Sequence, residues 1–426
     1  MGLIVQKYGG TSVGSVERIR NVAARALRTQ AEGHEVVVIV SAMAGETNRL
    51  LALATSVAPQ PDSREMDAIA ATGEQVAAGL TALAIQESGG RARSFLGHQL
   101  KILTDRAYTK ARILAINPEV LHRRMRDGLI AVIAGFQGVD DEGNITTLGR
   151  GGSDTSAVAV AAALEADVCE IYTDVDGVYT ADPNVCPSAR KIERISYEEM
   201  LELASLGAKV LQRRSVEVAM KYGVPIHVRS SFSDAAGTWV VGEEGALESV
   251  VVHGVAYDKG EARVMLVSVE DRPGIVAQIF GELAEENISV DMIIQNAAVD
   301  AEGRTDVTFT VAKTDLPRAQ QIMQSVSQKV GARAVRYDDS VAKVSIVGLG
   351  MRSHAGVAAK MFRILAAESI NIQAISTSEI KVSCLVHDRY AELAVRALHD
   401  GFGLDGSGLA GSGLAGSGLG SEGTKG

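Results

Sequence analysis

Two stretches near the start decide the fold: Leu3-Ile4-Val5-Gln6-Lys7-Tyr8-Gly9-Gly10-Thr11-Ser12, and Glu35-Val36-Val37-Val38-Ile39-Val40. The first reads as a short apolar strand, Leu3–Lys7, that ends on a lysine and opens into a glycine turn. Between them, Val16, Ile19, Val22, Ala23, Ala26 and Leu27 recur at helical spacing over Val16–Gln30, with arginines elsewhere on the surface. Glu35–Val40 is a β-branched run without polar interruption, which suits a strand buried on both faces of a parallel sheet. It ends in a loop of small residues, Ser41 to Asn48. Strand, glycine loop, helix, strand, small loop is the rhythm of a doubly wound α/β domain. Ligands of such sheets sit at the carboxyl ends of the strands, where these loops fall.

The rhythm continues outward. Glu65–Gln86 reads as one long helix containing Thr72-Gly73-Glu74-Gln75, and Leu129–Ala134 as a strand ending at Gly135-Phe136-Gln137-Gly138. Thr146–Leu164 begins as a glycine-rich loop and turns into an Ala-rich helix, with Ser153, Asp154, Thr155 and Ser156 where N-caps are expected. Gly149, Gly151 and Gly152 let the backbone approach a ligand, and first-turn N–H groups can receive an anion. Arg150 adds a planar fork suited to a carboxylate or phosphate. Val168–Thr173 is a further strand, Ser196–Tyr222 reads as helical and carries Gly207-Ala208-Lys209, and Val224–Val228 is the last core strand. The boundary of this unit is placed in Gly237–Leu247.

Beyond it, strands and helices alternate as βαββαβ: Arg263–Val269, Gly274–Glu286, Ile288–Gln295, Asp306–Ala312, Leu316–Val330 and Ala332–Tyr337. A second pass runs through Val341–Val347, Gly356–Ser369, Asn371–Ser376, Ile380–Val386 and Tyr390–His399. Gly274–Ile293 and Gly356–Ile375 match at eight of 20 positions without gaps, so the two passes are an internal repeat. The second pass lacks its last strand, and Val250–Tyr257 is a strand-like segment free to supply it, which would insert the first unit into the second. Gly406–Gly420 repeats Gly-Ser-Gly-Leu-Ala and reads as a disordered tail.

A formal net charge of -10 argues against a general nucleic-acid binder or a basic membrane-surface protein. Cys169, Cys186 and Cys384 form no CxxC pair, which speaks against a structural zinc site or a disulfide framework and suits a reducing cytoplasm. No signal segment opens the chain, and no uncharged apolar run approaches the roughly 20 residues of a membrane span. A cytoplasmic protein is expected. GxxxxGK[ST], HExxH and the EF-hand loop are all absent from the sequence. Lys7-Tyr8-Gly9-Gly10 nevertheless could set an ammonium and backbone N–H groups against phosphate oxygens.

Seven motifs occur in order: Lys7-Tyr8-Gly9-Gly10-Thr11-Ser12, Ser41-Ala42-Met43, Thr72-Gly73-Glu74, Gly135-Phe136-Gln137-Gly138, Thr147-Leu148-Gly149-Arg150-Gly151-Gly152-Ser153-Asp154, Thr173-Asp174-Val175-Asp176-Gly177-Val178-Tyr179-Thr180-Ala181-Asp182-Pro183 and Gly207-Ala208-Lys209. The series resembles the aspartate kinases of the amino acid kinase family, and the βαββαβ repeat resembles their paired ACT regulatory domains. The resemblance implies an amino acid kinase-like (carbamate kinase-like) α/β sandwich over residues 1–245, followed by two ferredoxin-like ACT domains. The first ACT domain is expected over 263–338, the second over 249–262 plus 339–403, and the tail over 404–426.

The implied reaction moves the γ-phosphoryl group of ATP, with Mg²⁺ carried by the nucleotide, onto the β-carboxylate of L-aspartate. By resemblance, Lys7 with Tyr8, Gly9 and Gly10 holds the phosphates, and Asp154 orients the cationic groups around them. Arg150 clamps an aspartate carboxylate and Glu74 holds the substrate ammonium or its network, with Ser41, Thr47, Gly151, Gly152 and Ser153 on the same side. Thr173, Asp174, Tyr179, Thr180, Asp182 and Pro183 match the adenosine side, and Lys209 the second nucleotide lysine. Where many relatives carry His-Pro after Lys-Val-Leu, this chain has Gln212-Arg213.

Lysine and/or threonine are the implied effectors. Asp271, Gly274, Ile275, Val276 and Ala277 form a strand-to-helix turn suited to an α-carboxylate, with Asp291, Gln295 and Asn296 nearby on the next strand. The second copy offers His354, Gly356, Val357 and Ala358 with Asn371, Ile372, Ser378 and Glu379. Assembly through the ACT domains is implied, as a homodimer or larger, with or without a separate regulatory subunit started internally as in some relatives. Two other readings stay open: another amino acid kinase acting on glutamate, acetylglutamate or UMP, and an inactive amino-acid-binding regulator.

Overall fold

The computed structural model describes residues 2–125, 128–206, 210–242, 251–295, 303–351 and 356–406. The first domain runs β1 (Leu3–Tyr8), α1 (Val16–Ala31), β2 (Glu35–Val40), α2 (Glu46–Val57), α3 (Ser63–Ala70), α4 (Thr72–Glu87) and β3 (Ala92–Phe95). It continues with β4 (Leu103–Thr104), β5 (Ile113–Ala115), α5 (Glu119–Met125), β6 (Ile130–Ala134), β7 (Gln137–Val139), β8 (Ile145–Thr147), α6 (Gly152–Ala163) and β9 (Val168–Thr173). It closes with β10 (Arg194–Ser196), α7 (Tyr197–Ser205), α8 (Arg213–Tyr222), β11 (Ile226–Ser230) and β12 (Thr238–Val241).

Eight strands form one sheet in the order β10-β12-β11-β9-β1-β2-β6-β3, with β1 and β2 near its centre. The strands from β11 to β3 run parallel, so their carboxyl ends share one edge. Strand alternation divides the side chains between two layers. Val5, Val37, Ile39 and Ile133 pack with α5, α6, α7 and α8, and Val36, Val38, Val40 and Val132 pack with α1 and α4. Burial on both faces explains the unbroken β-branched runs, each such side chain contributing about 1.5–3 kcal/mol.

Three expectations change here. The helix expected over Glu65–Gln86 is interrupted at Ala71, whose carbonyl is shared between the Gln75 amide and the Gln137 side chain. Taken together, Ser63–Glu87 is long and apolar enough to cross a membrane by composition, yet half of it is buried, against α1, β3 and β6. The helix expected over Ser196–Tyr222 is likewise two helices, α7 and α8, which pack against each other. The stretch between α4 and β6, left without strands by periodicity, contributes β4 and β5 to a small sheet of order β5-β4-β7-β8. These strands are two or three residues long, too short to show a period.

The second half begins with β13 (Val251–Asp258), β14 (Glu261–Glu270), α9 (Ile275–Glu285), β15 (Val290–Gln295), β16 (Arg304–Ala312), α10 (Leu316–Lys329) and β17 (Ala334–Asp338). The second unit follows with β18 (Val341–Leu349), α11 (Val357–Ala367), β19 (Ala374–Thr377), β20 (Lys381–His387) and α12 (Ala391–Gly401). Its sheet has the order β13-β18-β20-β19, beside β15-β16-β14-β17 for the first unit. Both sheets therefore place their strands in the same relative order, with β13 standing where the first unit has β17. Beyond α12 the chain stays packed for a few residues, with Leu404, inside the expected tail, against the second unit's core. Residues 407–426 lie outside the described residues.

The second unit is fused to the first domain. Ala256 and Val347 enter the core formed with α7, and Ala181 and Cys186 of the loop after β9 enter the second unit's own core.

Candidate active site

A cleft of about 440 Å³ opens at the shared carboxyl edge, between the loops after β1, β2 and β8 and the start of α6. Lys7 reaches it because it shares a strand face with Val5, toward α6. Its Nζ lies 2.5 Å from Oδ1 of Asp154 in the first turn of α6, and both side chains are about nine-tenths buried. The helix start is set by Gly151, left-handed at φ 69°, a conformation that strains any side chain. A Cβ there would also fall 1.7 Å from Cγ of Gln212, which wraps the loop from the start of α8. Ser153, Asp154, Thr155 and Ser156 are therefore inside the helix instead of capping it. Ser156 turns back to accept the Phe136 amide at 3.0 Å.

Glu74 enters from α4. Gly73 lets that helix press on the loop after β2, since a Cβ on it would lie 2.8 Å from Cβ of Ala42. Glu74 Oε1 then accepts the Ala42 amide at 3.0 Å, while Oε2 has no hydrogen-bond partner among the described residues. The side chain is 3% exposed, and burial pushes its pKa from 4.5 up to about 7. Glu74 thus leaves one buried carboxylate oxygen without a partner at the wall of the cleft. Arg150 stands exposed at the mouth of the same cleft, on the loop between β8 and α6.

Of the residues expected in the site, Lys7, Gly10, Ser41, Thr47, Glu74, Arg150, Gly151, Gly152, Ser153, Asp154 and Thr173 line the cleft. Gly9 adjoins it, its Cα facing Lys7 Nζ. Tyr8 does not: strand alternation turns it to the other face, where it stacks on Tyr172 with centroids 4.8 Å apart and donates to Gln6. Asp174 accepts from the Thr173 hydroxyl, and Tyr179 donates to Asp176 at 2.7 Å, both outside the cleft lining. Thr180 faces the second repeated unit, its hydroxyl 2.9 Å from His399 Nε2 and its carbonyl accepting the Val255 amide. Asp182 caps the amide of Asn184, and Pro183 lies exposed beside it. Lys209 lies outside the described residues. Sequence reasoning missed Phe136 and Gln212 as lining residues. Phe136 has φ 66°, a left-handed backbone that its sequence does not signal.

The two strand-to-helix turns of the repeated units both start their helices on a glycine. Gly274 and Gly356 both have positive φ, at 90° and 122°, and start α9 and α11 with Ile275, Val276 and Ala277 or Val357 and Ala358 in the first turn. Asp271 bonds the Gly303 carbonyl through its amide, and Gln295 is exposed at the end of β15. Asp291 is committed elsewhere: it pairs with Lys343 of the second unit, which Glu261 also binds. Asn371 and Ile372 precede β19, and Ser378 and Glu379 form the β19–β20 turn, where Glu379 accepts the Met351 amide. Asn296 and His354 lie outside the described residues.

Phosphate-competent cation, buried carboxylates and glycine loop at the carboxyl edge of this sheet define a small-molecule kinase with a regulatory module attached. The amino acid kinase family profile matches residues 2–230, and ACT domain profiles match 263–328 and 344–402. The chain belongs to the amino acid kinase family. It is 54% identical to an aspartate kinase of Pseudomonas putida, over 95% of this chain and 98% of that protein. Among solved structures it resembles E. coli aspartokinase III in complex with aspartate and ADP (R-state), with a TM-score of 0.79 and 28% identity over 94% of this chain and 99% of that one. The same enzyme in complex with lysine and aspartate (T-state) gives a TM-score of 0.72 at 27% identity, with the same coverage of both chains.

Proposed function

We propose that this chain is an aspartate kinase, transferring the γ-phosphoryl group of ATP to the β-carboxylate of L-aspartate to give 4-phospho-L-aspartate. The observation that carries the reading is the cleft itself, with the Lys7–Asp154 pair, the under-coordinated Glu74 and Arg150 around one space. The 54% identity to the Pseudomonas putida aspartate kinase over nearly the whole chain supports it.

The chemistry suits these residues. A carboxylate is already ionised near neutral pH, so no general base is required. An acceptor oxygen forms a bond to the γ-phosphorus as the bond to the bridging oxygen of ADP breaks. The difficulty is electrostatic, because two anions must meet and charge spreads over the transferring group. Lys7 supplies the cation at that point, and Asp154 fixes its ammonium by the 2.5 Å contact. Arg150 is suited to a carboxylate of the acceptor, and Glu74 to its ammonium. Among the described residues no group of three His, Cys, Asp or Glu side chains could hold a metal ion. Mg²⁺ is assigned to the nucleotide that carries it.

The ACT domains are read as receptors for lysine and/or threonine and as the contact through which subunits assemble. The test is a hydroxamate assay with Mg-ATP, hydroxylamine and either aspartate or glutamate. Aspartyl hydroxamate is expected, suppressed by millimolar lysine or threonine. Glutamyl hydroxamate alone would move the chain to another acceptor. No hydroxamate from either would overturn the kinase reading, and indifference to both effectors would overturn the regulatory one.

A further inference from the structure

Asp67 touches neither the cleft nor any group given a role above, yet it is a carboxylate only 1% exposed. Four hydrogen bonds converge on it. The Thr109 amide donates to both oxygens at 3.0 and 2.9 Å, and Thr147 donates its amide at 2.7 Å and its hydroxyl at 2.6 Å. Thr147 ends β8, one residue before Leu148 and the loop that carries Arg150. Thr109 is held at φ 67°, and its carbonyl lies against Gly149, 2.9 Å from where a Cβ would stand.

The same two segments are gripped from the other side. Arg214 of α8 donates Nη1 to the Leu148 carbonyl at 2.7 Å and Nη2 to the Ala111 carbonyl at 3.0 Å. The segments are joined to each other by the Ala111 amide on the Thr147 carbonyl. The carboxylate thus collects amides and the guanidinium collects carbonyls, a charge-matched clamp on the root of the Arg150 loop. Asp67 also belongs to α3, which leads through Ala71 into α4 and Glu74. One residue therefore ties the Arg150 loop to the helix that carries Glu74. Lys7 and its glycines hang on β1 and share none of these contacts.

We propose that Asp67 and Arg214 are positioning residues that fix Arg150 relative to Glu74 and thereby set the affinity for the amino-acid acceptor. The proposal rests on reading those two groups as the acceptor subsite. Asp67→Asn puts an amide N–H against the Thr109 or Thr147 donors, and Arg214→Lys can reach only one of the two carbonyls. Each variant is assayed with varied acceptor and varied ATP, beside its melting temperature. Asp67→Asn should raise KM for the acceptor about tenfold, the loss of roughly one charged hydrogen bond. KM for ATP should stay within about twofold and kcat within about threefold, as a clamp on one substrate loop alone requires. Arg214→Lys should move the same constant in the same direction.

Acceptor KM unchanged in a folded variant, or ATP and acceptor KM rising together, would overturn the proposal. If Asp67→Asn does not fold, Arg214→Lys decides by the same criteria. The acceptor used is whichever one the wild-type chain phosphorylates, so failure with aspartate would refute the assigned substrate while the clamp is still judged.

Discussion

Replacing Glu74 with glutamine should make the empty protein less sensitive to pH and at the same time cripple acceptor binding. The folded chain raises this carboxyl from 4.5 to about 7, with desolvation as the dominant cause. An unfolded chain gives up the proton near 4.5, so between pH 4.5 and 7 the folded state binds more protons than the unfolded one. Folding stability therefore falls as pH rises through that window and is flat above it. At 1.36 kcal/mol per unit the full cost is about 3 kcal/mol, of which about 2 kcal/mol develops between pH 5 and 7. For a domain of this size that is a decline of roughly 4–8 °C in melting temperature beyond that of Glu74→Gln.

The assay is a pair of melting curves, wild type and Glu74→Gln, at pH 5, 6, 7 and 8, with the difference between the two proteins as the readout. Subtraction removes the titration of every other group. A bound ammonium should reverse the cost, since a cation beside Oε2 favours the ionised form. KM for aspartate should accordingly rise as pH falls below about 7, by about tenfold per unit once the carboxyl is mostly protonated. Parallel melting profiles for the two proteins would refute the buried, unpaired carboxyl. An aspartate KM in Glu74→Gln equal to that of wild type would refute its role as receptor.

Lys7→Ala should lower kcat by about a thousandfold or more and also lower the melting temperature, because it leaves the largely buried Asp154 charge uncompensated. Lys7→Met combined with Asp154→Asn should recover melting temperature without recovering activity, as steady-state kinetics and calorimetry would show. Arg150→Lys should raise KM for aspartate by roughly tenfold and leave KM for ATP unchanged, since a point charge loses the planar fork. Gly151→Ala should destabilise by at least about 1 kcal/mol, from its left-handed φ of 69° and the collision with Gln212, with denaturant melts as the measure.

Local patterning by itself determined the central layers of this protein. The β-branched run Glu35–Val40 and the periodic helix before it are each legible because burial on both faces, or on one, leaves its period in the sequence. The internal repeat declared two units of one kind, and the ordered motifs drew attention to Lys7, Glu74, Arg150 and Asp154. Even the fate of Tyr8 was readable, since a residue next to Lys7 on a strand must face the other way.

Tertiary structure alone decided which loops meet. Lys7 and Asp154 are 147 residues apart, and the parallel pairing of β1 with β9 places the helix before β9 over the end of β1. The break at Ala71 depends on a side chain from β7 competing for a helix carbonyl, which no window around Ala71 contains. Asp67 reads in sequence as one more polar residue of a helix; only the fold surrounds it with the amides of Thr109 and Thr147. Periodicity reports which face of an element is buried. The partners of a buried polar group are set by long-range register, and hence by the folded chain as a whole.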